Sequence, residues 1–356
     1  MKVLTRYLIS HLLRVGGLCL LGWLSLFAFF DVIRELGALT GDYQFVKMLM
    51  FVILTLPGHA YELMPVATLF GGLLALAALS QDSEYTVMRT SGVSLARIVW
   101  TLVGTGLLFA AFTIVLGEWV VPASERSAKQ LKLAASGKIV EQDLRSGFWA
   151  KDGRDFINVR HILPDGTLRG VTVISFDDAH RMTGYLYAGA GHPVQDQVWT
   201  LEDVNQTRIA SQQVTLSHLA NMEWHSILSK DTLSTLLLEP EKMSAKQLWT
   251  YMGYLSQNSQ DNSRYQVALW SKLFYPLACI PMLILALPFA QGQRRSGGLG
   301  MKLFMGVMLG LVFYFFNQLV GSMGKIKGWS PIMSATLPSV VFLLAALLML
   351  WRQEKR

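Results

Sequence analysis

Apolar residues fall in long blocks toward both ends of the chain, and polar positions collect in the middle. A helix that crosses a membrane needs about 20 predominantly apolar residues. Six stretches have that character: Leu12–Ile33, Tyr61–Leu79, Ile98–Val121, Leu269–Ala290, Met301–Val320 and Met333–Trp351. A shorter run, Phe45–Leu56, ends at Pro57 and cannot cross alone. It predicts an outward extension of the second span with a kink at Pro57 or Pro65, because proline removes a helix hydrogen bond. No small-residue cleavage site follows the first apolar run, so it reads as a spanning anchor, not a removable leader.

Three spans precede the polar middle and three follow it. Within 150–225, the segments Phe156–Arg160, Val171–Phe176, Val198–Leu201 and Gln213–Leu216 carry the β-branched and aromatic residues of strands. Asp152-Gly153 and Asp165-Gly166 are turn signals. A β-sandwich or jelly roll is the natural packing for such a segment. Residues 240–262 predict a helix leading back to the membrane, with Ser244 at its N-cap and Leu248, Tyr251, Met252 and Leu255 at helical spacing. The expected organisation is therefore three spans over 1–121, an insert over 122–265 and three spans over 266–356.

Charge gives this arrangement a direction. Only 15% of the residues are charged and 52% are hydrophobic; soluble domains average about 25% charged, and the shortfall comes from the two ends. One side of the spans carries Lys2 and Arg6, Arg89 and Arg97, Arg294, Arg295 and Lys302, and Arg352, Lys355 and Arg356. The other side has Arg34, Lys47, Lys325 and Lys327. The excess of Lys and Arg marks the cytoplasmic side. Both termini are thus expected in the cytoplasm and the insert outside it, in the periplasm if the cell is Gram-negative. This topology accounts for part of the net charge of +7, so nucleic acid is not needed as a partner. Cys19 and Cys279 lie in apolar runs and the insert has no cysteine, so no disulfide framework is expected.

The sequence offers little chemistry. Gly297-Gly298-Leu299-Gly300-Met301-Lys302 lacks the spacing of a phosphate-binding loop and the hydroxyl residue after its lysine. There is no nucleophile elbow and no paired-histidine zinc motif, so no catalytic residue, metal or directly bound cofactor is expected. His180, His192, His218 and His225 are scattered and read as surface or packing residues. Arg14 sits about one turn inside its span and can snorkel. Glu62 and Glu118 are the candidates for ion coupling, and both lie near helix ends. A secondary transporter needs acids and broken helices at mid-membrane.

Three features remain. Between the second and third spans, Asp82 or Ser83 can cap a short helix over about 81–91 that Gly92 ends. Tyr85 and Met88 share a face three residues apart, which suits either docking into a partner's groove or lying on lipid headgroups. After the third span, Arg126, Lys129, Lys132 and Lys138 form a basic run. It reads either as a site for an anionic headgroup or as a solvated helix end. In the fifth span, Gly306 and Gly310 form a small-xxx-small motif that fits a helix interface or a lateral gate.

Taken together, the layout and several local strings resemble the permeases of the lipopolysaccharide export system. The strings are Gly117-Glu118-Trp119-Val120-Val121-Pro122, Gly147-Phe148-Trp149-Ala150-Lys151-Asp152-Gly153, Arg264-Tyr265-Gln266, Leu269-Trp270-Ser271-Lys272, and the segment from Ser83-Glu84 through Met88 to Ser91-Gly92. They are more similar to the LptG type than to the LptF type. The resemblance implies a pair of such permeases, one LptG-like and one LptF-like, with a dimeric cytoplasmic ATPase of the LptB type docked on their coupling helices. Glu84, Tyr85, Met88 and Arg89 would meet that ATPase, with ATP and magnesium bound there. Lipopolysaccharide would enter laterally through gates at the first and fifth spans. It would then pass through the insert to an LptC-type protein and an LptA-type bridge. Lys129 and Lys132 match positions that face lipid A phosphates, with Arg126 nearby. Where the family often has a lysine in the first span, this chain has Asp31, and Arg34 one turn further on stands in as the basic residue. Drawing lipid from a bilayer costs about 0.8 kcal/mol per acyl CH₂, which fits a permease driven by an external motor. The alternative reading from the residues is an ion-coupled secondary lipid transporter.

Overall fold

A computed structural model describes residues 2–39, 43–136, 148–163, 166–195, 197–210, 213–226, 239–258, 260–290, 299–327 and 329–355. Lys138, Gly147, Asp165 and the Arg294–Arg295 pair lie outside these residues. Six of the described helical stretches are long and apolar enough to span a membrane. The first is α1, Lys2–Leu36, and the second is α2, Phe45–Gln81. The shorter apolar run at residue 45 does extend the second span: α2 is one helix of 37 residues, with Pro57 and Pro65 inside it. At 1.5 Å per residue it is about 55 Å long, well beyond a hydrocarbon layer.

A short helix α3, Glu84–Thr90, leads to α4, Leu95–Val115. The third span does not stop where the apolar pattern stops. It passes through a π-turn at Leu116–Val120 into α5, Val121–Ser136. Pro122 follows that turn directly, where the hydrogen-bond ladder is already rearranged and a missing N–H costs least. On the far side of the insert come α6, Ala245–Gln257; α7, Ser263–Phe274; a 3₁₀ turn at Tyr275–Ala278; and α8, Cys279–Ala290. The last spans are α9, Leu299–Lys327, and α10, Pro331–Glu354.

α2 forms the centre of the bundle. Of its most apolar window, 83% is buried, against 11% for α1. The two helices meet backbone to backbone. A Cβ placed on Gly71 would lie 2.7 Å from the Gly16 nitrogen, so no larger residue fits there without separating the helices.

Among the described residues the insert forms one six-stranded antiparallel sheet: β1 Phe148–Asp152, β2 Asp155–Ile162, β3 Leu168–Phe176, β4 Met182–Gln195, β5 Val198–Ala210 and β6 Gln213–His225. The β-rich insert is as the pattern predicts. Its strands, however, pair in sequence order, where a jelly roll interleaves strands of two sheets. The reason lies in the connections. Two residues separate β1 from β2, β4 from β5 and β5 from β6, and a link that short forces each strand to pair with its predecessor. Gly153, with φ of 59°, makes the first of these reversals. One face of the sheet buries Ile157, Val159, Val171, Trp199, Leu201 and Val204, and Trp199 stands opposite Trp224 in the β5–β6 register.

The return helix holds the sheet to the spans. Ser244 caps α6 through a capping box with Gln247, as its position predicts, and Leu248, Tyr251 and Leu255 are buried. Tyr254 donates to the Lys151 carbonyl at 2.9 Å, the Gly153 N–H donates to Asn258 at 3.1 Å, and Ser226 donates to Asp152 at 3.1 Å.

Candidate functional site

Two groups of polar residues sit at opposite ends of the bundle. At the end that carries α3, the chain turns sharply at Ser83, whose φ is 61°, and leaves the helix through Gly92, whose φ is 87°. The left-handed φ at Gly92 favours glycine. Ser83 holds the N-cap position, but its side chain makes no capping bond. The Glu84 carboxylate instead accepts a hydrogen bond from the Tyr7 hydroxyl of α1, at 3.0 Å. Met88 is buried in the bundle core and Tyr85 packs against the same core. Burial raises the Tyr85 phenol above its ordinary value. The shared face of Tyr85 and Met88 is therefore turned inward and fixes α3 to the spans. Thr86, Val87, Arg89 and Thr90 are exposed, and Arg89 also braces the following loop by donating to the Val93 carbonyl at 3.0 Å.

At the other end, the last turns of α1 meet α2 and α5. Asp31 is 5% exposed and pairs with Arg34 at 2.9 Å and with His59 at 2.6 Å. Glu35, 3% exposed, pairs with Lys132 of α5 at 2.7 Å and accepts from the Tyr43 hydroxyl at 3.3 Å. The Lys132 ammonium lies 4.8 Å from the centre of the Phe51 ring, a favourable cation–π placement. Burial, with Glu35 adding to it, pushes the Tyr43 phenol up to about 12. Arg34, Lys129 and Lys132 thus lie on the elements the sequence indicated. Arg34 and Lys132 already hold acids of this chain. Arg126 points its Nε into the protein without a hydrogen-bond partner among the described residues. Lys129 is half-buried.

A second cluster joins the spans to the return segment. Lys242 reaches Glu62 at 2.6 Å and Glu125 at 3.5 Å. Burial pulls its ammonium down, but the two carboxylates outweigh this and raise it overall. Glu118 accepts from the Ala245 N–H at 2.9 Å. Lys325 of α9 pairs with Glu241 at 2.5 Å. Burial favours the neutral Glu241 acid, yet the Lys325 contact overcomes it and holds the carboxyl below its ordinary value.

Gly306 and Gly310 face α2. A Cβ on Gly306 would lie 2.7 Å from Leu73, and one on Gly310 would lie 3.0 Å from Val66. The motif therefore serves a helix contact inside the chain. The opposite side of α9 exposes Phe304, Val312, Phe315 and Leu319, and α1 exposes Leu18, Leu21, Phe29 and Phe30. Among the described residues no cluster of three or more metal-ligating side chains occurs.

Asp31, Glu35 and Glu125 are buried carboxylates that the sequence did not single out as acids. The signal was present in part: Asp31 and Glu35 are four residues apart on one helical face, and a basic helix was predicted after the third span.

The family "Lipopolysaccharide export system permease LptF/LptG" matches residues 6–352 of the chain. The chain is 32% identical over 330 residues to the lipopolysaccharide export system permease protein LptG of Escherichia coli K12, covering 92% of this chain and 91% of that protein. It is 30% identical over 335 residues to the LptG of Haemophilus influenzae, covering 93% and 91%. Against the LptF of Escherichia coli K12 the identity falls to 23% over 385 residues, covering 98% and 95%. The chain belongs to the LptF/LptG family of lipopolysaccharide export permeases.

Proposed function

We propose that this chain is the LptG-type half of a paired permease that moves lipopolysaccharide with power drawn from a separate ATPase. The observation that carries this reading is the uneven covering of the spans. In the most apolar windows, 83% of the second span is buried, but only 11% of the first and 22% of the fifth. Wide apolar faces on α1 and α9 suit an LptF-type partner and a lipid passage between the two proteins. Buried carboxylates that would support ion coupling instead hold cations of the same chain, as Glu35 holds Lys132 and Glu125 holds Lys242.

In this reading α3 is the coupling helix. Glu84, Arg89 and the exposed Val87 meet a dimeric LptB-type ATPase that binds ATP and magnesium, while Tyr85 and Met88 transmit its position to the core. Both termini lie in the cytoplasm, and the β domain lies in the periplasm of a Gram-negative inner membrane. Lipopolysaccharide enters between α1 and the partner's spans. Its phosphates meet Lys129, Arg126, Arg34 and Lys132, the last two exchanging an internal carboxylate for the ligand. The β domain passes the lipid on toward an LptC-type protein and an LptA-type bridge. Co-purification tests the assignment. Tagged chain should bring down a second six-span permease and an ATPase, and Glu84→Ala should lower recovery of the ATPase. Lipopolysaccharide release from vesicles by this chain alone, without nucleotide, would sink it.

A further inference from the structure

At the α3 end of the bundle, α1 and α4 begin side by side and leave a groove of about 940 Å³ between them. Arg6, Ser10 and Arg14 of α1 and Arg97, Trp100 and Gly104 of α4 line it. Three guanidiniums thus converge from two helices, and among the described residues no acid lines the groove. Arg6 and Arg14 are exposed and form no ion pair among the described residues. Eight residues apart, they follow one stripe of α1 over about 12 Å, which carries Arg14 toward the apolar part of the span. A cation at that depth is costly unless it finds a counter-charge. Trp100 is 72% exposed at the rim, the position of an interfacial aromatic belt. A Cβ on Gly104 would touch nothing within 4 Å, so the floor is open.

We propose that this groove binds an anionic glycerophospholipid from the leaflet on the α3 side. The guanidiniums take its phosphodiester, because their planar forks match phosphate oxygens. The apolar walls take its acyl chains. Charge complementarity selects this occupant: basic pockets between spans on the cytoplasmic side suit acidic headgroups. The inference rests on the proposed function only in naming the leaflet as cytoplasmic. The groove lies at the opposite end of the bundle from Lys129 and Lys132, so this lipid is a resident, not the exported cargo.

The test uses the permease with its co-purifying partners in phosphatidylcholine nanodiscs that contain a photoactivatable phosphatidylglycerol, without nucleotide or lipopolysaccharide. Adducts are expected on residues 5–14 and 97–104. Each arginine near an anionic headgroup is worth about fivefold in affinity, so Arg6→Gln/Arg14→Gln/Arg97→Gln should weaken labelling about a hundredfold. Gly104→Leu, which fills the open floor and leaves every charge in place, should also suppress labelling, and Gly104→Ala should not. The proposal is overturned by equal labelling with a photoactivatable phosphatidylcholine, by undiminished labelling of both disrupting variants, by equal protection from inorganic phosphate, or by cross-links showing a partner's helix in the groove. Cysteine accessibility that placed the β domain inside the cell would overturn the orientation instead. Adducts that persisted in that case would leave the lipid site standing.

Discussion

Removing one member of the Glu35–Lys132 pair should have very different consequences from removing the other. The side chain of Glu35 is 4% exposed and that of Lys132 is 38% exposed. Lys132→Met strands a buried carboxylate that keeps the Tyr43 hydroxyl as a hydrogen-bond donor; breaking such a pair costs about 3 kcal/mol, the lower end for buried ion pairs. Glu35→Gln keeps an acceptor of the same shape, and the Lys132 ammonium can reach water, so the cost is about 1 kcal/mol. The double variant should recover part of the Lys132→Met loss, with a coupling of about 2 kcal/mol. Thermal unfolding of the four purified proteins in one detergent gives the ranking. A second readout separates architecture from function. If headgroup phosphate competes with Glu35 for Lys132, Glu35→Gln frees the cation, and cross-linking of lipopolysaccharide to a photoreactive residue at the exposed Gln130 should rise about fivefold, the equivalent of about 1 kcal/mol. The reasoning is refuted if Glu35→Gln destabilises as much as Lys132→Met, or if cross-linking stays flat or falls.

Gly71→Ala should separate α1 from α2, since its Cβ meets the Gly16 backbone and backbone cannot swing aside; a loss of about 3 kcal/mol is expected from overpacking of this kind, read as a lower unfolding temperature than Gly104→Ala. Glu241 has its carboxyl held below its ordinary 4.5 by Lys325, so this pair stabilises above that pH and is lost as pH falls through the lower folded value. The unfolding-temperature deficit of Glu241→Gln should be constant from pH 8 to about 5 and shrink on further acidification; a deficit that grew with acid would contradict the pairing.

Element type was legible in the sequence wherever one physical signal dominated. Long apolar runs gave all six spans, and Ser244 with Gln247 marked the start of α6. β4 was missed because Gly184, Gly189, Gly191 and Pro193 dilute its strand character; its pairing with β3 and β5 holds it in the sheet. The helix of the third span runs on past the end of its apolar run at Val121, and no local pattern announces the π-turn that joins the two parts. At the candidate sites the basic residues were visible, but their counter-charges were not. Lys132 and Glu35 are 97 positions apart, so their pairing is a property of how α1 and α5 cross. The same holds for Met88. Its spacing from Tyr85 showed that they share a face, and only packing showed which way that face points.

α1 makes polar contacts at both ends of the bundle. Near its start Tyr7 donates to Glu84 of α3, and near its finish Asp31 and Glu35 hold Arg34, His59 and Lys132. Between them it runs as unbroken helix over 35 residues, about 50 Å. Elsewhere it is largely uncovered, and at Gly16 it rests on the Gly71 backbone with no side chain between. A stiff rod with a bare contact point and a hydrogen bond to α3 can carry a displacement of α3 to the outer carboxylates. Tyr7→Phe removes that bond and keeps the ring, so binding of an ATPase at the exposed side of α3 should persist. Lipopolysaccharide released per ATP hydrolysed should therefore fall, while ATP hydrolysis itself changes little. An unchanged ratio in Tyr7→Phe would show that α1 is not the link, and a proportional loss of hydrolysis would show that the bond serves docking instead.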